Sequence, residues 1–151
     1  MATKIKPVRS PAWKISPAES FPSFLIALPD LVPEGAVLYI ECGGRPPEDT
    51  QLLLADLDTR EKVRVPGGTL FPRPHIHTVP ITRQNMAKLA AVEEQHPAPV
   101  GAFHLHVYLG SEMLLSSYDA FLDPFTVSFV VPEERVRAFS HALGCSYEKT
   151  P

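Results

Sequence analysis

Cysteine is scarce: Cys42 and Cys145 are the only two, far apart in the chain and outside any CxxC pair. They give neither a disulfide scaffold nor a thiolate zinc site, and are expected as free thiols in a reducing, cytoplasmic compartment. Long apolar runs are missing too: none approaches the ~20 residues a membrane helix needs, and no charged start with an apolar core marks a secretion signal. Strong charge of either sign is lacking, since a formal net charge of -3 and a pI near 6.0 give no general drive towards nucleic acid or an anionic membrane. There is no internal repeat, glycine-rich phosphate loop, GxSxG elbow or basic aromatic patch, so phosphate and nucleic-acid functions have no specific motif behind them.

What is present describes an ordinary globule. At 151 residues with 44% hydrophobic and 21% charged content, the chain is sized and composed for one domain. Proline is the outlier, 17 residues, about twice the usual ~5%, and many fall where turns are expected. Charge is uneven: residues 1–22 carry Lys4, Lys6, Arg9 and Lys14 against Glu19 alone, together with Pro7, Pro11, Pro17 and Pro22. This predicts a Pro-rich basic N-terminal arm over 1–22, ahead of a single globular domain over 23–151. Trp13, the only tryptophan, is either an anchor for a protein partner or a cover for its own domain.

Residues 23–28 read as a short helix or strand stopped by Pro29, and AVLYIEC over 36–42 as a central strand with apolar content on both faces. Residues 51–58 read as a strand, with 62–65 as its hairpin partner or the next strand, and a resumption over 69–71 after the Pro66-Gly67-Gly68 turn. Thr82 caps a helix over 82–95 with Met86, Leu89 and Ala90 as its buried stripe and Pro97 as its stop. A last helix opens at Pro132-Glu133-Glu134, buries Val136, Phe139 and Leu143, and ends at Gly144, with a final strand in 145–148. The expected fold class is α/β or α+β, a single mixed sheet flanked by about three helices.

The chemistry concentrates in residues 100–131. With a strand's two-residue period, Phe103, Leu105, Val107 and Leu109 form a core face, while Ala102, His104, His106 and Tyr108 share the other. The two histidines are then ~6–7 Å apart along the strand, a reach from which two imidazoles can close on one zinc ion. Asp119, in Ser116-Ser117-Tyr118-Asp119, is a candidate third ligand, and Glu41 a second candidate acid. Plainer readings stand beside these: a half-exposed polar strand face for the histidines, a helix-capping box for SxxD, and a type I turn for Pro33-Glu34-Gly35. A second HxH, His75 and His77, lies on an edge strand or irregular segment beside prolines, and with His104 and His106 would make a four-histidine metal site.

A strand ending in HxH, then SxxD, then a strand opened by Asp123-Pro124 resembles the JAMM or MPN class of zinc metalloproteases. The resemblance implies zinc on His104, His106 and Asp119, Ser116 helping to hold the oxyanion, and Glu34, in VPEGAVLYI, as general base. It implies a peptidase or isopeptidase acting on a protein tail or a ubiquitin-like conjugate. Nine residues separate His106 from Ser116, two more than that family's pattern, and Val107 stands where the family has proline. These departures point to the second expectation, a catalytically inactive protein-interaction module on a related scaffold without metal.

Overall fold

In the computed structural model, residues 2–67, 75–96, 102–119 and 122–151 are described. The strands are β1 (Thr3–Lys4), β2 (Ala12–Ile15), β3 (Val37–Cys42), β4 (Val63–Arg64), β5 (His75–Pro80), β6 (Ala102–Leu109), β7 (Glu112–Tyr118), β8 (Phe125–Ser128) and β9 (Tyr147–Thr150). The helices are α1 (Phe21–Leu31), α2 (Glu48–Leu57), α3 (Arg83–Glu93) and α4 (Glu133–Leu143). Seven strands form one sheet in the order β5-β3-β6-β7-β8-β2-β9. Each of its described pairings is antiparallel. Among the described residues, parallel pairing is found in the separate β1–β4 pair and in an isolated bridge between Lys6 and Glu112 of β7. This is an α+β architecture, a sheet flanked by helices.

Alternation sorts the side chains. Leu38, Ile40, Val79, Leu105, Val107, Leu115, Phe125 and Val127 share one core with Phe24, Leu25 and Leu28 of α1, Leu54 of α2, Met86 and Leu89 of α3, and Val136 and Phe139 of α4. All four described helices thus contribute to one face of the sheet. On the opposite face a smaller cluster forms from Ile5, Tyr39, Tyr108 and Met113. No described helix is long and apolar enough to cross a membrane.

Helix ends follow sequence chemistry. The Ser20 side chain accepts from the Ser23 N–H and Pro22 sits in the first turn of α1, where its missing N–H costs nothing. Pro29, expected to stop this segment, is accommodated inside the helix. Thr82 caps α3 by accepting from the Asn85 N–H, and Gly144 ends α4 at φ 66°, a left-handed conformation that suits glycine.

Three expectations are corrected. The strand expected over 51–58 is α2: Leu52-Leu53-Leu54 carries no decisive period, whereas Pro47 before Glu48 and Asp49 is a helix start with acids at the positive end of the dipole. Strand β4 pairs with β1 instead of forming a hairpin with that segment. The basic arm is built into the fold, because β2 lies between β8 and β9. There Trp13 is 8% exposed, its indole N–H donates to the Val131 carbonyl at 3.0 Å, and its ring lies 4.5 Å from that of Phe129. Trp13 thus covers its own domain. The strand expected over 69–71 and the stop at Pro97 lie outside the described residues.

Candidate functional site

Strand β6 runs between β3 and β7, and residues directly opposite one another share a face. Glu41, His104 and Tyr118 therefore form one cross-strand row, and Tyr39, His106 and Ser116 the next. Glu41 and His106 are fully buried, His104 is 7% exposed and Ser116 8%. The His104 and His106 ring centroids lie 6.4 Å apart, in line with the strand period. The Tyr118 ring stands edge-on to both, at 5.4 Å and 4.9 Å, and its hydroxyl donates to the Pro66 carbonyl at 2.6 Å.

Each imidazole is held differently. His104 Nδ1 accepts from the Asp119 backbone N–H at 3.0 Å, and its Nε2 is 3.5 Å from Glu41 Oε2. A ring nitrogen that accepts carries a lone pair, so in neutral His104 the proton sits on Nε2, facing the carboxylate. His106 Nδ1 is 3.1 Å from Ser116 Oγ, while its Nε2 is buried with no hydrogen-bond partner among the described residues. Burial first, and the neighbouring His104 charge second, push the His106 pKa down from 6.5 to about 3. His106 is accordingly neutral at physiological pH. Burial, then the Glu41 charge, pushes the Tyr39 phenol up, so it stays protonated.

His104, His106 and Ser116 are thus brought together, and Glu41 joins them. Asp119 is not placed as the resemblance implies: it adopts φ 53°, is exposed, and presents its amide rather than its carboxylate to His104. Glu34 lies in the turn before β3, exposed, beyond Val37, which pairs with Tyr108. About 13 Å of strand separates Val37 from Glu41, at ~3.3 Å per residue, and Glu34 lies further still. That turn differs from a type I turn, since Gly35 sits third at φ 93°, the type II position that requires positive φ. Ser116 is mid-strand in β7, so SxxD is not a capping box. The four-histidine grouping fails on register: His77 pairs with Ile40 and His75 with Cys42, which puts them on the helix-covered face, opposite His104 and His106.

Zinc fits this arrangement poorly. Among the described residues no three His, Cys, Asp or Glu side chains converge to hold a metal ion. Two imidazoles on one tetrahedral zinc at ~2.0 Å would place their centroids roughly 5 Å apart, closer than the 6.4 Å found. The Asp119 amide also leaves His104 Nε2 a donor. A metal ligand needs a lone pair there.

Sequence reading missed what holds the pair: the amide of Asp119 and the Tyr118 cover leave no mark in composition or spacing. The chain matches no family model, no curated protein and no solved structure.

Proposed function

We propose that the chain is a non-catalytic binding module, in which His104, His106, Glu41 and Ser116 fasten β3, β6 and β7 together instead of performing hydrolysis. The observation that carries this reading is the Asp119 N–H on His104 Nδ1, which directs the ring's own proton at Glu41 and leaves no lone pair for a metal. The closed surroundings support it, for a catalytic zinc keeps an open position for water or substrate whereas Glu41 and His106 are fully buried. Partners would be proteins or small molecules meeting other parts of the surface.

One observation favours the second reading, a zinc peptidase of the kind the motif order resembles. The His106 Nε2 lone pair or N–H is buried without a partner among the described residues, and such an orphan calls for an explanation such as an ion. The residues nearest to serving that ion are His104, His106 and Glu41, with Glu41 in the place given above to Asp119.

Metal content separates the two. Protein purified without a histidine tag or added metal is analysed by plasma mass spectrometry beside His106→Ala. The binding-module reading expects no stoichiometric zinc and a melting temperature indifferent to chelator. About one zinc per chain, lost in His106→Ala, would overturn it in favour of the peptidase.

A further inference from the structure

The second HxH, which the buried cluster does not absorb, belongs to a different feature. Strand β5 is an edge of the sheet, and the segment after α2 closes against it: the Thr59 N–H donates to the Thr78 carbonyl at 2.8 Å. Asp58 anchors this junction. Its Oδ1 accepts from the Thr78 N–H at 3.1 Å, from Thr78 Oγ1 at 3.1 Å and from the Arg60 N–H at 2.8 Å, and its Oδ2 lies 3.0 Å from His77 Nδ1. Burial alone would raise the Asp58 pKa, but the Arg60 and Thr78 amides, His77 and the Thr78 hydroxyl outweigh it and hold the carboxyl below its usual range. An ionised carboxylate only accepts. His77 Nδ1 must therefore carry the proton, and in the neutral ring the lone pair is on Nε2.

His77 lines a hollow of about 440 Å³ together with Arg45, Pro46, Gln51, Ala55 and His75. That volume lies within the usual range for small-molecule sites. Its polar groups are of two kinds. Arg45 supplies a permanent cation with forked donors suited to oxyanions; His77, fixed by Asp58, offers an acceptor. A cation on the two histidines would have to sit beside the Arg45 charge. A simple carboxylate would satisfy Arg45 but set an oxygen lone pair against that of Nε2. A phosphate group that keeps one O–H satisfies both.

We propose that this hollow binds inorganic phosphate as hydrogen phosphate, with Arg45 pairing with a P–O⁻ oxygen and His77 Nε2 accepting from the P–O–H. His75, on the same face one pleat along, borders the site, and Gln51, whose side-chain amide donates to the Pro46 carbonyl, fixes the loop that carries Arg45. Glu48, which borders Arg45 in the adjoining hollow, opposes an anion and keeps binding moderate. No phosphate-loop motif is involved. The site is assembled from a loop, a helix face and a sheet edge, and is independent of what the His104–His106 cluster does.

The test is an NMR titration of the full chain, labelled with ¹⁵N and ¹³C, with inorganic phosphate, glycerol phosphate and sulfate in turn. It is run slightly above neutral pH, where hydrogen phosphate keeps its O–H and neither sulfate nor the glycerol phosphate dianion has one. The His77 ring nitrogens should report a proton on Nδ1. Phosphate should shift the His77 and His75 rings and the Gln51 side-chain amide saturably and leave His106 unmoved. Sulfate should bind at least about tenfold more weakly, since it leaves the acceptor unpaired. The exposed substitution Arg45→Met should weaken phosphate by about tenfold or more, and Glu48→Gln should tighten it. Glycerol phosphate, which lacks that proton, should likewise bind more weakly than inorganic phosphate. Absence of saturable shifts, equal affinity for sulfate or glycerol phosphate, or undiminished binding in Arg45→Met would each overturn the proposal.

Discussion

His106 makes acid stability a direct probe of the buried cluster. Its folded pKa of about 3 lies well below the 6.5 of an ordinary histidine, so between those values the unfolded chain binds a proton that the folded chain refuses. Stability then falls as pH falls, by ~1.4 kcal/mol per unit inside that window, and is unaffected by this group above it. Over 3.5 units the loss is about 5 kcal/mol, a large share of the 5–15 kcal/mol typical of a domain. Replacing His106 by Phe removes the titration while filling the same space. At pH 8 the change removes an orphaned polar atom, worth about 1–3 kcal/mol, but strands the buried Ser116 hydroxyl at a cost of about the same size. The variant should there lie within ~2 kcal/mol of wild type. At pH 4 the balance should shift in its favour by about 3 kcal/mol. Urea unfolding at a series of pH values measures this, and the difference between the two proteins isolates His106 from the carboxylates, which titrate in both. A difference that stays constant from pH 8 to pH 4 would refute the reasoning. A variant less stable at every pH, accompanied by zinc loss, would instead mark His106 as a ligand.

Trp13→Ala should cost about 3–5 kcal/mol in denaturant unfolding, because the indole is buried against Phe129 and hydrogen-bonded to Val131; a change below ~1 kcal/mol would return Trp13 to a surface arm. Glu93 is 5% exposed, its Oε1 accepts from Thr50 at 3.4 Å and its Oε2 has no partner among the described residues. Burial raises its pKa above 4.5, so the folded state binds more protons and stability is lost as pH rises from 4.5 through the folded value. Glu93→Gln should therefore stabilise at pH 8 and lose that advantage near pH 4, in the same unfolding assay. Asp58→Asn removes charge-assisted bonds to His77 and Thr78, a loss of about 1.5–3 kcal/mol. Faster hydrogen exchange at the Thr78 amide than in wild type is the expected readout, and unchanged protection would mean the carboxylate does not hold the β5 edge.

Much of the scaffold was legible because it rests on local rules. Thr82, Pro132 and Gly144 mark helix ends through cap chemistry that needs no tertiary context, and the alternation in residues 103–107 placed His104 and His106 on one face. The α2 segment was misread because three successive leucines fit either period, and the deciding signal lay upstream at Pro47–Asp49. The resemblance was carried by order along the chain, and order does not fix register. Asp119 follows Ser116 at the family's spacing, yet β7 continues through Tyr118, so the aspartate turns away at positive φ and only its amide reaches His104. Glu34 precedes an apolar strand as the resemblance requires, but β3 meets β6 so that Glu41, seven residues on, is opposite His104.

Why the histidines are internal follows from what lies over them. A strand face bearing Tyr39, Glu41, His104, His106 and Ser116 would ordinarily look to water, and such a pattern reads as a polar surface. Here the N-terminal segment crosses that side of the sheet: Ile5 packs with Tyr39, Tyr108 and Met113, while the Lys6 N–H donates to the Ser111 carbonyl and the Met113 N–H to that of Lys6. Strand β4, paired with β1, leads into Pro66, which is tied to the Tyr118 hydroxyl, and Tyr108 donates to Glu61 at 2.7 Å. The basic, proline-rich start thus acts as the cover of the second face. Burying an unpaired polar group costs ~1–3 kcal/mol, and the cover converts the polar row from solvated side chains into partners that must satisfy one another. Ser116 facing His106 at 3.1 Å is such a pairing, and Glu41 Oε2 approaches His104 Nε2 to 3.5 Å. The His106 nitrogen that finds no partner among the described residues is the cost of closing the face, and the source of the acid sensitivity expected above.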